Sequence, residues 1–237
     1  MITKRLFLTL MLISLFLLPN SLTAELYIQA DLLSRYIWRG FDLNPYGNPV
    51  IQPSIGYAFG ESGLAVNFWS SFSFENKEVD EFNLYLTYKK NLSEYLSLEA
   101  GLIHYGWYFA PEFSFKDDTS HEVFVSASLS NVLIDPSLTV FYDFTNGDGF
   151  YILFEAGYSP KLLKPEGIDF SASLGYNGGQ WLAEGVDPGF SDFNLGVTLP
   201  VTVGRFRISA LATYTVVLLD AIGKDNHFWY GLTVDYK

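Results

Sequence analysis

The final residues read Asn226-His227-Phe228-Trp229-Tyr230-Gly231-Leu232-Thr233-Val234-Asp235-Tyr236-Lys237. Successive side chains of a strand point to opposite faces, so Phe228, Tyr230, Leu232, Val234 and Tyr236 share one side and His227, Trp229, Gly231, Thr233 and Asp235 the other. No helical pattern lies nearby to cover the apolar side. Its partner must come from outside the chain, and the hydrocarbon of a bilayer supplies one.

Moving back from this stretch, the same alternation recurs, and past Ala24 no window of 11 to 18 residues carries apolar positions at helical spacing. Twelve strands are expected, over 25–39, 50–59, 64–74, 81–89, 95–107, 122–129, 137–144, 150–158, 168–176, 192–199, 205–214 and 226–237. About 60 positions fall on their apolar faces, and none is Asp, Glu, Lys or Arg; the overall charged fraction of 17% would put roughly ten there, and a lipid face must exclude them. A soluble sandwich would place its charges on those same positions. The fold class expected is therefore all-β, a transmembrane antiparallel up-and-down barrel.

Connection lengths agree. The segments 41–49, 108–121, 177–190 and 216–226 are long, whereas 60–63 and 200–204 at the other end are tight, with 159–167 an exception. Outward aromatics gather near both ends, with Tyr36, Trp38, Phe72, Tyr142, Tyr176, Tyr214 and Tyr230 at one and Phe59, Tyr88, Tyr158, Phe206 and Tyr236 at the other. Such girdles mark the interfaces of a membrane barrel, and the aromatic fraction of 18% is in keeping with them.

Lys4 and Arg5 precede an apolar run over 6–18, then Pro19-Asn20-Ser21 and a small-residue site ending at Ala24. That is the form of a secretory signal peptide, too short for a spanning helix. Residues 1–24 are expected to be the leader and 25–237 the barrel. Removing the two leader cations takes the net charge of −12 to about −14, which argues against nucleic acid as a partner. The chain has no cysteine, so neither disulfides nor thiol chemistry is available.

The inner wall is expected to carry Asp31, Glu81, Glu99, Glu122, Asp143, Glu155, Asp169, Asp192 and Asp235 against Arg35, Arg39, Lys89, Arg205 and Arg207. Of these, Asp31, Arg35, Arg39, Glu81, Glu99, Glu122, Asp143, Glu155, Arg205 and Arg207 are the candidate pore-lining residues. Fixed carboxylates in excess would favour cations. The opposing reading is that acids and bases pair to fill a narrow barrel, since twelve strands enclose less room than the 16–18 of aqueous porins. Inward Trp69, Tyr85, Tyr105, Trp107, Phe124, Tyr151 and Trp229 would either plug the lumen or line a track through it.

Catalysis is not expected. His104 falls on the lipid-facing phase, while His121 and His227 stand at strand starts as exposed rim residues, and none has the His-x-Ser spacing of the outer-membrane phospholipase. Nucleophile, base and orienting group do not converge. Asp143-Phe144-Thr145-Asn146-Gly147-Asp148-Gly149 suggests a calcium loop but has Phe154 where the bidentate Glu belongs; a tight Asn-Gly/Asp-Gly hairpin suits it better. Neither metal nor cofactor is implied. Loop acids Glu112, Asp117, Asp118, Glu184, Asp187, Asp220 and Asp225 are solvated by default, with bridging to lipopolysaccharide through divalent ions the sharper alternative.

Gly231, Val234 and Tyr236 fit a Gly-x-x-apolar-x-apolar pattern that resembles the C-terminal assembly signal of bacterial outer-membrane barrels, with Lys237 trailing beyond the usual form. Ser34-x-Tyr36-x-Trp38-Arg39-Gly40, Pro49-x-x-Gln52, Gly63 through Trp69-Ser70-Ser71, Glu81-x-Asn83-x-Tyr85, Tyr142-Asp143 and Gly149-x-Tyr151 together resemble the TorF family of proteobacterial porins over roughly half the chain. Two departures are Arg35, where an acid is common, and Gly106-Trp107 in place of a Tyr-Pro step. The resemblance implies the outer membrane of a Gram-negative bacterium and no particular cargo. Expected partners are outer-membrane lipid and lipopolysaccharide, the barrel-assembly machinery through the last strand, and small solutes. The function expected is a passive or weakly cation-selective channel; the alternative is a closed barrel that acts through its loops.

Overall fold

The computed structural model describes residues 25–44, 48–75, 77–107, 119–160 and 166–236. The leader expected over 1–24, the loop acids Glu112, Asp117 and Asp118, and the side chain of Trp107 lie outside the described residues.

Twelve antiparallel strands close into a barrel in which each pairs with its chain neighbours and the first, β1 (Glu25–Leu33), pairs with the last, β14 (His227–Tyr236). Between them run β4 (Val50–Ala58), β5 (Leu64–Ser73), β6 (Glu78–Asn91), β7 (Leu96–Trp107), β8 (Thr119–Leu129), β9 (Asp135–Asp143), β10 (Gly149–Tyr158), β11 (Asp169–Gly178), β12 (Gly189–Val203) and β13 (Phe206–Val217). Two short strands, β2 (Ile37–Trp38) and β3 (Phe41–Asp42), pair only with each other. The closing seam sets Ile28 opposite Tyr236, Ala30 opposite Val234 and Leu32 opposite Leu232, so the apolar faces of both ends of the chain meet on one side. Closure leaves no unpaired strand edge, the condition for β-structure in hydrocarbon.

The charge-free face points outward. Ile28, Leu32, Ile55, Phe68, Leu84, Leu102, Val125, Leu138, Phe154, Leu195, Leu232 and many like them are exposed. Lys90, at the end of β6 nearest the chain termini, is a charged residue on the outward phase, placed where a long side chain can reach water. Tyr142, Tyr214 and Tyr230 on one rim and Tyr88, Tyr158 and Phe206 on the other are exposed outward. Bulges shift the register at Ser71/Phe72 in the β5/β6 pair and at Gly175/Tyr176 in the β11/β12 pair, both at the end away from the termini, here termed the loop end.

Four sequence expectations are corrected. The first strand stops at Leu33 rather than running to residue 39, because Ser34 closes the ladder: its amide donates to the Tyr230 carbonyl and its hydroxyl accepts from the Tyr230 amide. Tyr36 and Trp38 consequently leave the outward girdle, since strand alternation no longer governs them, and turn into the lumen. Arg205 does not line the wall. It stands in the two-residue turn Gly204-Arg205 joining Val203 to Phe206, and its guanidinium donates to the outward Tyr236 hydroxyl at 3.1 Å; Gly204, at φ +64°, supplies the first position that a tight hairpin of this kind reserves for glycine. Finally, 144–148 is a five-residue loop and not a tight Asn-Gly or Asp-Gly hairpin, because Asp143 and Ser120 organise it. Ser120 Oγ donates to Asp143, whose carboxylate also accepts from the Thr145 amide, and the Asn146 amide donates to Ser120 Oγ.

Depth in the bilayer supplies the test of the outward face. Val125, in mid-strand, is 60% exposed and Val203, at the strand end, 61%. Val125→Arg should cost about 2–4 kcal/mol and Val203→Arg about 0–1 kcal/mol, read from urea titrations in lipid vesicles. Equal effects would mean that hydrocarbon does not cover the barrel.

Candidate functional site

The segment after β1 folds into the mouth of the barrel as a hairpin. Trp38 pairs with Phe41 across the two-residue turn Arg39-Gly40, and both turn residues have positive φ, +52° and +86°, the geometry of a type I′ turn. Glycine accepts it readily. Arginine does not, so Arg39 is held there by what its side chain touches.

The Arg39 guanidinium makes a two-pronged pair with Glu122 of β8, Nη1 to Oε2 at 2.7 Å and Nη2 to Oε1 at 2.9 Å, and also donates to Gln180 Oε1. Rings of Trp38, Phe141 and Tyr151 lie 4.6, 4.3 and 4.6 Å from its centre, a cation-π arrangement strengthened by desolvation. Glu122 is also served by Tyr105 Oη at 3.0 Å and Gln180 Nε2 at 2.5 Å, so four donor groups reach one carboxylate. Side-chain exposure is 7% for Arg39 and 0% for Glu122.

The hairpin is fixed at other points. Tyr36 Oη donates to Glu81 at 2.9 Å and its ring lies 5.8 Å from that of Trp69. Burial, and after it the charge of Glu81, pushes the Tyr36 hydroxyl well above its ordinary pKa, so it stays a donor at neutral pH. Trp38 meets Tyr105 edge-on at 5.9 Å. At the base, Arg35 pairs with Asp42 at 2.6 Å and approaches His227 Nδ1 at 3.5 Å.

The ten candidate pore residues therefore divide. Arg39, Glu81 and Glu122 meet around the hairpin, while Asp143, fully buried, serves the 144–148 loop. Arg35 stands on the hairpin base, and Arg205 sits outside the lumen. Asp31 lies on the inner wall two residues from the loop end of β1, opposite Gln52, and accepts from Thr233 at 2.6 Å. Glu99 and Glu155 lie on that wall toward the terminal end, where Glu155 is exposed and Arg207 and Asp169, 44% and 32% exposed, are 3.4 Å apart. The lumen is thus water-accessible at the terminal end and packed tight at the loop end, where Glu81, Tyr151 and Asp192 are 2%, 1% and 1% exposed.

The histidines do not all lie where sequence put them. His104 and His121 face each other on the outward side, Nδ1 to Nε2 at 3.2 Å. His227 is not an exposed rim residue; its side chain is 11% exposed and faces Asp42 at 3.9 Å, because the hairpin base covers it. Sequence reasoning missed Gln180, which lies in the turn-forming run Asn177-Gly178-Gly179-Gln180-Trp181 and bears no charge. It also missed Phe141, whose inward phase follows from the outward phase of Tyr142. The one available signal for the hairpin was Gly40 between aromatic pairs.

The chain belongs to the family described as "Bacterial protein of unknown function (Gcw_chp)", whose profile matches residues 20–222. No curated protein sequence matches it significantly. Among solved structures, the KdgM porin superposes with a TM-score of 0.60 at 11% identity, covering 89% of this chain and 98% of that one. A further structure of that porin is described as a complex with disordered oligogalacturonate. The NanC porin gives 0.55 at 9% identity, with 90% and 100% covered, and the outer-membrane phospholipase A of Escherichia coli gives 0.50 at 16%, with 90% and 92% covered. These likenesses establish the shared barrel fold.

Removing one partner of the buried pair should cost far more than removing both. Glu122→Ala is expected to destabilise the barrel by about 3–5 kcal/mol, whereas Arg39→Met combined with Glu122→Leu should lose much less. Urea unfolding of the single and double variants measures this, and a double variant as unstable as the single would refute the coupling.

Proposed function

We propose that the protein is an outer-membrane channel of a Gram-negative bacterium, secreted through its first 24 residues and passing small solutes by passive, weakly cation-selective diffusion. The TorF resemblance and the fold shared with two porins support this reading. The observation that carries it is the acid-rich inner wall inside an apolar exterior. Glu99, Glu155 and Asp169 share the accessible part of the lumen with Lys89 and Arg207, and a low-dielectric surround strengthens the field of the excess carboxylates. An anionic cargo such as oligogalacturonate does not suit that wall. Lipid and lipopolysaccharide would contact the two aromatic girdles, and the assembly machinery would engage β14.

A second reading, a closed barrel that acts in structure or adhesion through its loops, is favoured by one observation, the near-complete burial of Glu81, Glu122, Tyr151 and Asp192 around the hairpin. Conductance separates the two. Refolded protein in a planar bilayer under a potassium chloride gradient should give small currents and a reversal potential of the sign for cation preference. Glu99→Gln with Glu155→Gln should move that potential toward zero. Silence at every voltage would end the channel reading, and anion preference would contradict the wall charge.

A further inference from the structure

We propose that Glu122, Gln180 and the rings of Phe141 and Tyr151 form a binding site for a guanidinium-bearing solute, which Arg39 occupies from within the chain as an autoinhibitory stand-in. The consequence for transport rests on the channel reading above; the site itself does not. A solute carrying the same planar cation would compete with the hairpin for the wall and release it.

The receptor half is built without the hairpin. Glu122 stands on β8, Phe141 on β9 and Tyr151 on β10, while Gln180 follows β11. Each polar member has its own support: Tyr105 Oη donates to Glu122 at 3.0 Å, Tyr151 Oη to Asp192 at 3.0 Å, and Asn177 Nδ2 to the Gln180 carbonyl at 2.9 Å. What remains is a carboxylate edge, an amide oxygen and two aromatic faces aimed at one point. That is the complement of a flat cation with N–H donors around its rim. A compact ammonium would leave the two-pronged carboxylate contact half used.

The occupant, by contrast, is not held by a comfortable backbone. Arg39 has φ +52°, a left-handed conformation that costs an L-residue free energy. The base of the hairpin is closed by Arg35 to Asp42 and stays tied to the barrel by Tyr36 to Glu81, so Arg39 can leave the wall with its segment still tethered. A tethered ligand competes at an effective concentration on the order of millimolar, and a well-fitted cation of four heavy atoms can reach affinities on the order of 1 mM. Competition is feasible in that range.

The test uses L-arginine and methylguanidinium at about 10 mM, a range set by those affinities, against equal sodium chloride and L-lysine. Arg39→Ala vacates the site, so both guanidinium probes should raise its melting temperature and block its current, while lysine and sodium should not. Adding Glu122→Gln should abolish both responses. In the wild-type barrel the same probes should instead raise channel activity. Loss of the difference between arginine and lysine, or a response that survives Glu122→Gln, overturns the proposal. Should Arg39→Ala fail to refold, the wild-type response decides alone. A barrel that never conducts yet shows the arginine-specific melting shift would remove the channel reading and leave the site standing.

Discussion

Hydrocarbon against one side of every barrel strand is the constraint on which the structure depends. It forbids charge on the outward phase, and it forbids an unpaired amide or carbonyl anywhere along the strands. The first demand accounts for the run of Leu, Val, Phe and Ala on that side of β1 and β4 through β14. The second requires β1 to find β14, because a chain of hairpins that stopped at β13 would expose two edges. A sheet closed in this way has to store its ionised groups inward, so the acidic lumen follows from the apolar exterior.

Charges stored in a narrow, low-dielectric tube cannot be left unpaired, and the two ends of the barrel solve this differently. Toward the termini, Glu99, Glu155, Asp169 and Arg207 keep contact with water, which screens them. At the loop end the chain brings its own cation. Arg39 neutralises Glu122, Tyr36 serves Glu81, and the segment that carries them fills the space that water would otherwise take. Desolvation makes each of these contacts stronger and makes the loss of either partner costly. A deep ion pair of this kind is a device for holding one arrangement.

The porins that share the fold do so at 9–11% identity, and the same fold hosts a phospholipase. A barrel of this size is thus a frame whose use is set by the groups placed on it. Here His104 and His121 face each other on the outward side, and the inner wall has a dense, oriented set of donors, acceptors and rings.

Local alternation, read in the sequence, determined the class of fold, the number of barrel strands, which residues face lipid, and the excess of acid within. It could do so because a period of two is a property of the backbone and hydrocarbon penalises charge at the depths most strands cross. The same rule failed where the backbone leaves the ladder. Tyr36 and Trp38 keep an outward phase on paper, Arg205 an inward one, and nothing in their neighbours says that Ser34 ends one strand or that the turn at Gly204 takes in Arg205. Which acid would meet Arg39 was equally hidden, since Glu122 is 83 residues away and Gln180 carries no charge to draw notice. Those choices belong to tertiary structure, because they depend on which walls the closed ring brings within reach of a loop that folds inward.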